Sequence, residues 1–231
     1  MDATSSPLPV APRTSFATVL AFLGLLAMAA GWYLPWIARP DVDGVGFSRG
    51  DLNRLDEEAK KEGVPENVTA VVRRMLGSEA VSGRDLSVLG DFWLERDETQ
   101  LEPKEFRGWT VGLAVLRVAP WALLAVAALL LVGRLRKPSS PVGTLVLTLA
   151  ILVGGFAALI WLGSSQAAKK AVAADPTILG VGMYALVFGG AAAFLGGLFA
   201  VRTSTWWKVY PLTIVAVFGT IVGLMMYVDP K

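Results

Sequence analysis

Residues 14–38 read TSFATVLAFLGLLAMAAGWYLPWIA, 25 consecutive positions without a charged side chain. A helix rises about 1.5 Å per residue, so roughly 20 apolar residues cross the ~30 Å hydrocarbon core of a bilayer. This stretch is long enough, and it is expected to be the first membrane-spanning helix. A cleaved leader is the competing reading, because Ala27-Met28-Ala29 has the small-x-small form of a cleavage site. The apolar run, however, continues through Gly31-Trp32-Tyr33-Leu34-Pro35-Trp36-Ile37. That is longer than the hydrophobic region of about 7–15 residues that a leader carries. Trp32, Tyr33 and Trp36 read as an interfacial aromatic belt, with Pro35 and Pro40 closing the helix.

Working outward, residues 1–13 form a short Pro/Ser-rich tail ending at Arg13, expected to be disordered. Four more apolar runs follow at residues 110–133, 141–163, 176–201 and 209–228. Short gaps separate them and make consecutive helices antiparallel neighbours. In lipid each segment must satisfy its own backbone polar groups. The expected fold is therefore an all-α integral membrane protein: a five-helix transmembrane bundle, with a small helical extracytoplasmic insert between spans 1 and 2. Composition agrees. The 231 residues are 54% hydrophobic and 17% charged, against roughly 45–50% and 25% in soluble domains.

The chain has no histidine and no cysteine. Zinc sites built on those residues, Ser-His-Asp and Cys-His catalysis, His-ligated haem, iron–sulfur clusters and disulfides are all excluded. No cofactor is expected. The net charge of +2 hides an uneven distribution. Residues 39–108 carry 11 basic and 16 acidic side chains, whereas the other 161 carry 10 and 3. Without a concentrated basic face, nucleic acid is not an expected partner; the lipid bilayer is.

Orientation follows from Lys and Arg in the short loops. With the amino terminus cytoplasmic, that side holds Arg13, Arg134, Arg136, Lys137, Arg202 and Lys208. The opposite side holds Lys169, Lys170 and Lys231. Arg39, Lys104 and Arg107 flank the long insert and would equalise the two sides, but loops beyond about 60 residues follow the rule poorly. The insert and the carboxyl terminus are thus expected outside the cell membrane.

The insert, residues 39–108, is too long and too patterned for a linker. Residues 51–62 read as a helix capped by Asp51, with Leu52, Leu55 and Ala59 on one face and Gly63 as the stop. Pro65 opens a second helix, with Val68, Val71, Val72, Met75 and Leu76 at helical spacing up to Gly77. Ser82 caps a third helix running to about Glu95, with Asp85 three residues on in the capping-box place and a Leu86, Leu89, Phe92, Trp93 stripe. So few apolar faces do not make an independent core. The cap is expected to pack on the outer ends of the spans or on a protein partner.

Candidate functional residues are few. Arg117 is the only charge inside a span, seven residues past Thr110 and so roughly 10 Å deep. It reads either as a contact for an anionic substrate or lipid headgroup, or as a snorkelling or structurally paired side chain, within reach of Glu102 or Glu105 if the cap folds down. Pro120 follows three residues later and can kink the helix. Asp41-Val42-Asp43-Gly44 can hold a divalent cation through its carboxylates, or can be a solvated turn. Small residues that let helices approach recur as Ala193 with Gly197 and as Gly219 with Gly223. They suit contacts within the bundle or, alternatively, a homo-oligomer. Trp206-Trp207-Lys208 reads as an interfacial anchor, and Asn67-Val68-Thr69 has the form of a glycosylation acceptor.

Leu34-Pro35-Trp36 closing the first span and Leu179-Gly180-Val181-Gly182-Met183-Tyr184 opening a Gly/Ala-rich late span resemble a loose class of bacterial multi-span membrane proteins of unknown function. The resemblance implies an external loop after the first span and carries no catalytic residues; the larger insert and the fifth span depart from it. The Asp41/Asp43 motif is similar to one in membrane glycosyltransferases that use lipid-linked sugars, which have more spans. Claudin-like proteins share the long first loop, but their external disulfide has no cysteines here. The leading expectation is a non-enzymatic envelope scaffold or accessory subunit. A small transporter or channel subunit using Arg117 is the alternative, although Thr144, Thr148 and Thr213 offer little polar lining. A lipid-processing enzyme using Asp41 and Asp43 is the third.

Overall fold

The computed structural model describes residues 15–37, 49–76, 81–97, 103–133, 135, 138–170, 180–201 and 206–228. In chain order these form α1 (Phe16–Tyr33), β1 (Pro35–Ile37), α2 (Arg49–Lys61), α3 (Glu66–Leu76), β2 (Val81–Ser82), α4 (Gly83–Asp97) and α5 (Pro103–Val132). They continue as α6 (Ser140–Leu149), a π turn (Ala150–Gly154), α7 (Gly155–Lys170), α8 (Val181–Ala200) and α9 (Trp206–Val228). Five apolar helical stretches have membrane-spanning length: Phe16–Tyr33, Thr110–Val132, Ser140–Leu162, Val181–Ala200 and Trp206–Val228. The fold is an all-α membrane bundle, and the third span is α6, the π turn and the start of α7 in one run.

The centre of the bundle is α8, and glycine puts it there. Its broadest contact is with α1. Gly24 and Gly31 of α1 are seven residues apart, as are Gly182, Gly189 and Gly196 of α8. Seven residues make two turns, so these positions line one seam of each helix. A Cβ at Gly31 would stand 2.8 Å from Gly182 O, and one at Gly189 would stand 2.9 Å from Gly24 O and from Met28 N. At Gly196 it would overlap the backbone of Ala21. The two backbones touch, which is how helices associate in lipid, where apolar area alone offers no gain. The adjacent glycines face the other way. A Cβ at Gly190 would lie 2.6 Å from Gly154 Cα, and one at Gly197 would lie 2.9 Å from Val146 Cγ1 of the third span. The pairs 189–190 and 196–197 thus serve two neighbours from one helix. Around this sandwich lies a core that includes Leu25, Met28, Leu123, Val146 and Leu186, all buried.

Consecutive spans alternate in direction. The Arg107 guanidinium, at the cap end of α5, donates to Tyr227 O at 3.4 Å, so α9 finishes beside the start of α5. Only 11% of the α9 span is buried, against 44% for α1 and α8, which makes α9 the peripheral helix. Its amino-terminal end is fixed by the Tyr210 hydroxyl, which donates to Leu198 O at 3.0 Å.

The second span is the later part of a longer helix: α5 runs unbroken from Pro103 through Pro120 to Val132. Pro103 stands at the first helical position, where a missing N–H costs nothing. Two sequence expectations need correction. Trp32, Tyr33 and Trp36 do not form a belt at the lipid surface. Trp32 and Trp36 are buried in the core and meet edge-to-face at 5.0 Å, leaving Tyr33 as the exposed member. Trp36 Nε1 donates to Gly31 O at 2.8 Å, which satisfies the indole away from water. Finally, α2 starts at Arg49, so Asp51 lies within its first turn instead of capping it. The tail, residues 1–13, lies outside the described residues.

Candidate functional site

The cap is built from local signals. Gly63 stops α2 in a left-handed conformation (φ 71°), where glycine carries no Cβ penalty. Val64 N donates to Ala59 O at 2.9 Å and Gly63 N to Lys60 O at 3.3 Å, the paired bonds of a Schellman stop. Ser82 opens α4 through a reciprocal box. Asp85 N donates to Ser82 Oγ at 3.3 Å, while Ser82 N and Oγ donate to Asp85 Oδ2 at 2.9 and 2.8 Å. Aspartate does here what glutamate does in the usual box. Asp85 is buried, and Arg74 of α3 completes its bonding at 2.9 Å. Arg73 pairs with Asp56 of α2 at 2.8 Å. These two ion pairs join the three cap helices to one another.

Five further contacts seat the cap on the bundle, one of them through β1. β1 pairs antiparallel with β2, Pro35 opposite Ser82 and Ile37 opposite Val81. Gly180 N, at the head of α8, donates to Trp36 O at 2.9 Å. A Cβ at Gly83 would press the Trp36 ring at 2.6 Å, and one at Gly90 would overlap Leu113 of α5. Arg117 is ion-paired with Asp91 of α4. The cap therefore folds down onto the ends of the spans next to it, and Asp91 is the carboxylate that pairs with Arg117 there. Glu102 and the side chain of Glu105 lie outside the described residues, as do Asp41 and Asp43.

Two surface concavities stand out among the described residues. One, of about 410 Å³, lies between α1 and α8 on the side of the bundle, lined by Leu23, Ala27, Tyr184 and Phe188 among others. Gly24 and Gly189 line it as well. The other, of about 240 Å³, lies in the cap between α2, α3 and α4. Leu55, Val68, Leu89 and Phe92 line it, with Glu58 and Glu62 on its α2 wall. Trp93 lines it too while staying 59% exposed. Among the described residues no group of three or more carboxylates stands together as a metal site. Among the described residues, the buried side-chain polar atoms without a protein partner are Thr18 Oγ1, Thr148 Oγ1, Thr213 Oγ1 and Trp32 Nε1.

The small-residue positions divide. Ala193 lies against Gly24 on the α1 side of α8, whereas Gly197 faces Val146 and Leu147 of the third span. Gly219 and Gly223 meet nothing: a Cβ at either would have no neighbour within 4 Å among the described residues. Both are exposed on α9, and among the described residues that face has no neighbour. The sequence marks Gly180, Gly182, Gly189, Gly190, Gly196 and Gly197 as small-residue positions in the fourth span, but their seven-residue match with Gly24 and Gly31 of α1 was missed. Asp91 was missed too, since no spacing ties it to Arg117.

No family model, curated protein or solved structure matches the chain.

Proposed function

We propose that this multi-pass membrane protein is a non-enzymatic scaffold or accessory subunit, whose cap stands outside the membrane and docks a protein partner. The observation that supports it best is the fixed seating of the cap. A backbone ladder, an ion pair, two glycine contacts and the Gly180–Trp36 hydrogen bond hold it at one angle on the bundle. A surface held that rigidly binds with little ordering cost. The placement of Arg134, Arg136 and Lys137 supports the cap-outside orientation. The transporter alternative relied on Arg117 as a cation open to a substrate, and Asp91 engages it.

The test is photo-crosslinking in native membranes. Benzoylphenylalanine is placed at exposed Ala70 on the cap and at Leu159, 69% exposed on the third span. A discrete protein adduct from Ala70 and none from Leu159, identified by mass spectrometry, is expected. Adducts from neither position, or the same adducts from both, would refute cap docking.

A further inference from the structure

We infer that the concavity between α1 and α8 seats one acyl chain of a phospholipid, drawn from the leaflet nearer the cap. The inference stands apart from the docking function above. Both walls of the concavity are membrane spans, Phe16–Tyr33 and Val181–Ala200. Leu23, Val181 and Phe188 on its rim are exposed, so it opens sideways from the bundle. It is therefore continuous with the lipid-facing surface, and hydrocarbon is what meets its open side. At about 410 Å³ it falls within the roughly 300–1,000 Å³ of a small-ligand site. In a bilayer an apolar hollow gains nothing from shedding water; it gains from atoms that fit it closely.

Length selects a lipid chain over a second helix. The α8 lining runs from Val181 to Ala192, eleven residues on, or about 16 Å. That is close to half the ~30 Å hydrocarbon core, the reach of one leaflet. It starts at the cap end of α8, beside the bond from Gly180 N to Trp36 O. A partner's transmembrane helix crosses the whole core and needs a face that stays small along its length. This face does not. Gly24, Ala27, Gly189 and Ala192 line the cap-side half, but the same side of α8 continues three and seven residues later with Leu195 and Phe199, both exposed. Chemistry agrees with a chain that ends in an ester. Tyr184 and Phe188 stack at 6.3 Å and 13°, giving the slot a smooth aromatic wall. Side chains lean toward the amino end of their helix, which carries the Tyr184 hydroxyl toward the cap-side interface. Tyr184 lies one turn, about 6 Å, from the head of α8. A chain laid along Phe188 with its glycerol ester near Tyr184 matches both.

The test uses the full chain in phosphatidylcholine nanodiscs. A trace of the lipid carries a photoreactive diazirine on one acyl chain, near the ester in one probe and near the methyl end in another. Adduct sites are read by mass spectrometry. Labelling of Leu23 and Phe188 is expected to exceed that of Phe218 and Val222, exposed at similar depth on α9, by at least about fivefold. The near-ester probe should mark Val181 and Tyr184, and the near-methyl probe Phe188 and Ala192. Ala192→Phe fills the far end of the slot and should cut near-methyl labelling about fivefold. Ala191→Phe, exposed on the adjoining face, should leave it unchanged. Ala27→Leu, a smaller filling from the α1 wall, should cut it about twofold and carries the test if Ala192→Phe lowers the thermal midpoint. Labelling no higher at the slot than on α9, or undiminished by the fillings, would overturn the inference, since any lipid passing along the surface gives both. So would the reversed order, near-ester labels at Ala192 and near-methyl labels at Val181, which would name a chain from the opposite leaflet. Benzoylphenylalanine at Leu23 is expected to capture lipid. A protein adduct there, from a second copy or another chain, would name a helix as the occupant and overturn the inference as well.

Discussion

Breaking the Arg117–Asp91 pair tests how firmly the cap is tied to the bundle. Arg117 follows Thr110 by seven residues, about 10 Å along the helix axis, so the pair brings a cap carboxylate to the cap-side part of the second span. Two limits bracket its energy. An ion pair in open water is worth about 0.2–1 kcal/mol. An arginine alone at the bilayer centre costs roughly 2.5–3.5 kcal/mol on insertion scales. The side chains are 58% and 34% exposed around the bundle and lie off-centre, so a coupling of about 1–2 kcal/mol is expected. Asp91→Asn strands the guanidinium, Arg117→Gln strands the carboxylate, and the double variant removes both charges. Each single change should destabilise by roughly that amount, and the double change by clearly less than the sum. Sodium dodecyl sulfate titration in mixed micelles reads the stability, and hydrogen exchange of α4 reads whether the cap loosens. Additivity within about 0.3 kcal/mol would refute the latch.

Gly189→Val should cost at least about 2 kcal/mol in the same titration, because its Cβ meets backbone 2.9 Å away on α1. Gly219→Val, facing open space on α9, should stay within about 0.5 kcal/mol of the parent. Ser82→Ala removes the hydroxyl half of the α4 box and should cost about 1 kcal/mol, with faster amide exchange over the first turn of α4. Trp36→Phe keeps the ring in the core and deletes its N–H. The loss should be about 0.5–1.5 kcal/mol, measured by unfolding, because Gly31 O loses that donor.

The spans were legible because hydropathy and length are local: an uncharged run of more than 20 residues has few fates. The cap helices were legible for the same reason. Gly63, Pro65 and the Ser82/Asp85 spacing act on the next few residues only, and each sits at an observed boundary. What the sequence concealed is what depends on a distant neighbour. Hydropathy cannot separate a tryptophan facing lipid from one facing protein, and so Trp32 and Trp36 were misplaced. Arg117 and Asp91 are 26 positions apart on different helices, and the seating of the cap, Gly90 on Leu113 among its contacts, brings them together. The GxxxG at Gly219 matches a familiar pattern yet packs on nothing among the described residues, while the wider seven-residue spacing marks the seam that closes.

The glycine seam also imposes an order on biogenesis. Gly31 of α1 and its partner Gly182 of α8 are separated by about 150 residues, so at translation rates of roughly 5–20 residues per second the first helix waits some 8–30 s for its mate. Throughout that interval its flat, side-chain-poor flank must rest against lipid or against whatever the insertion machinery supplies. Only when the fourth span is released can the two ends of the polypeptide clasp, and nascent chains stalled before that point should remain open and sensitive to protease.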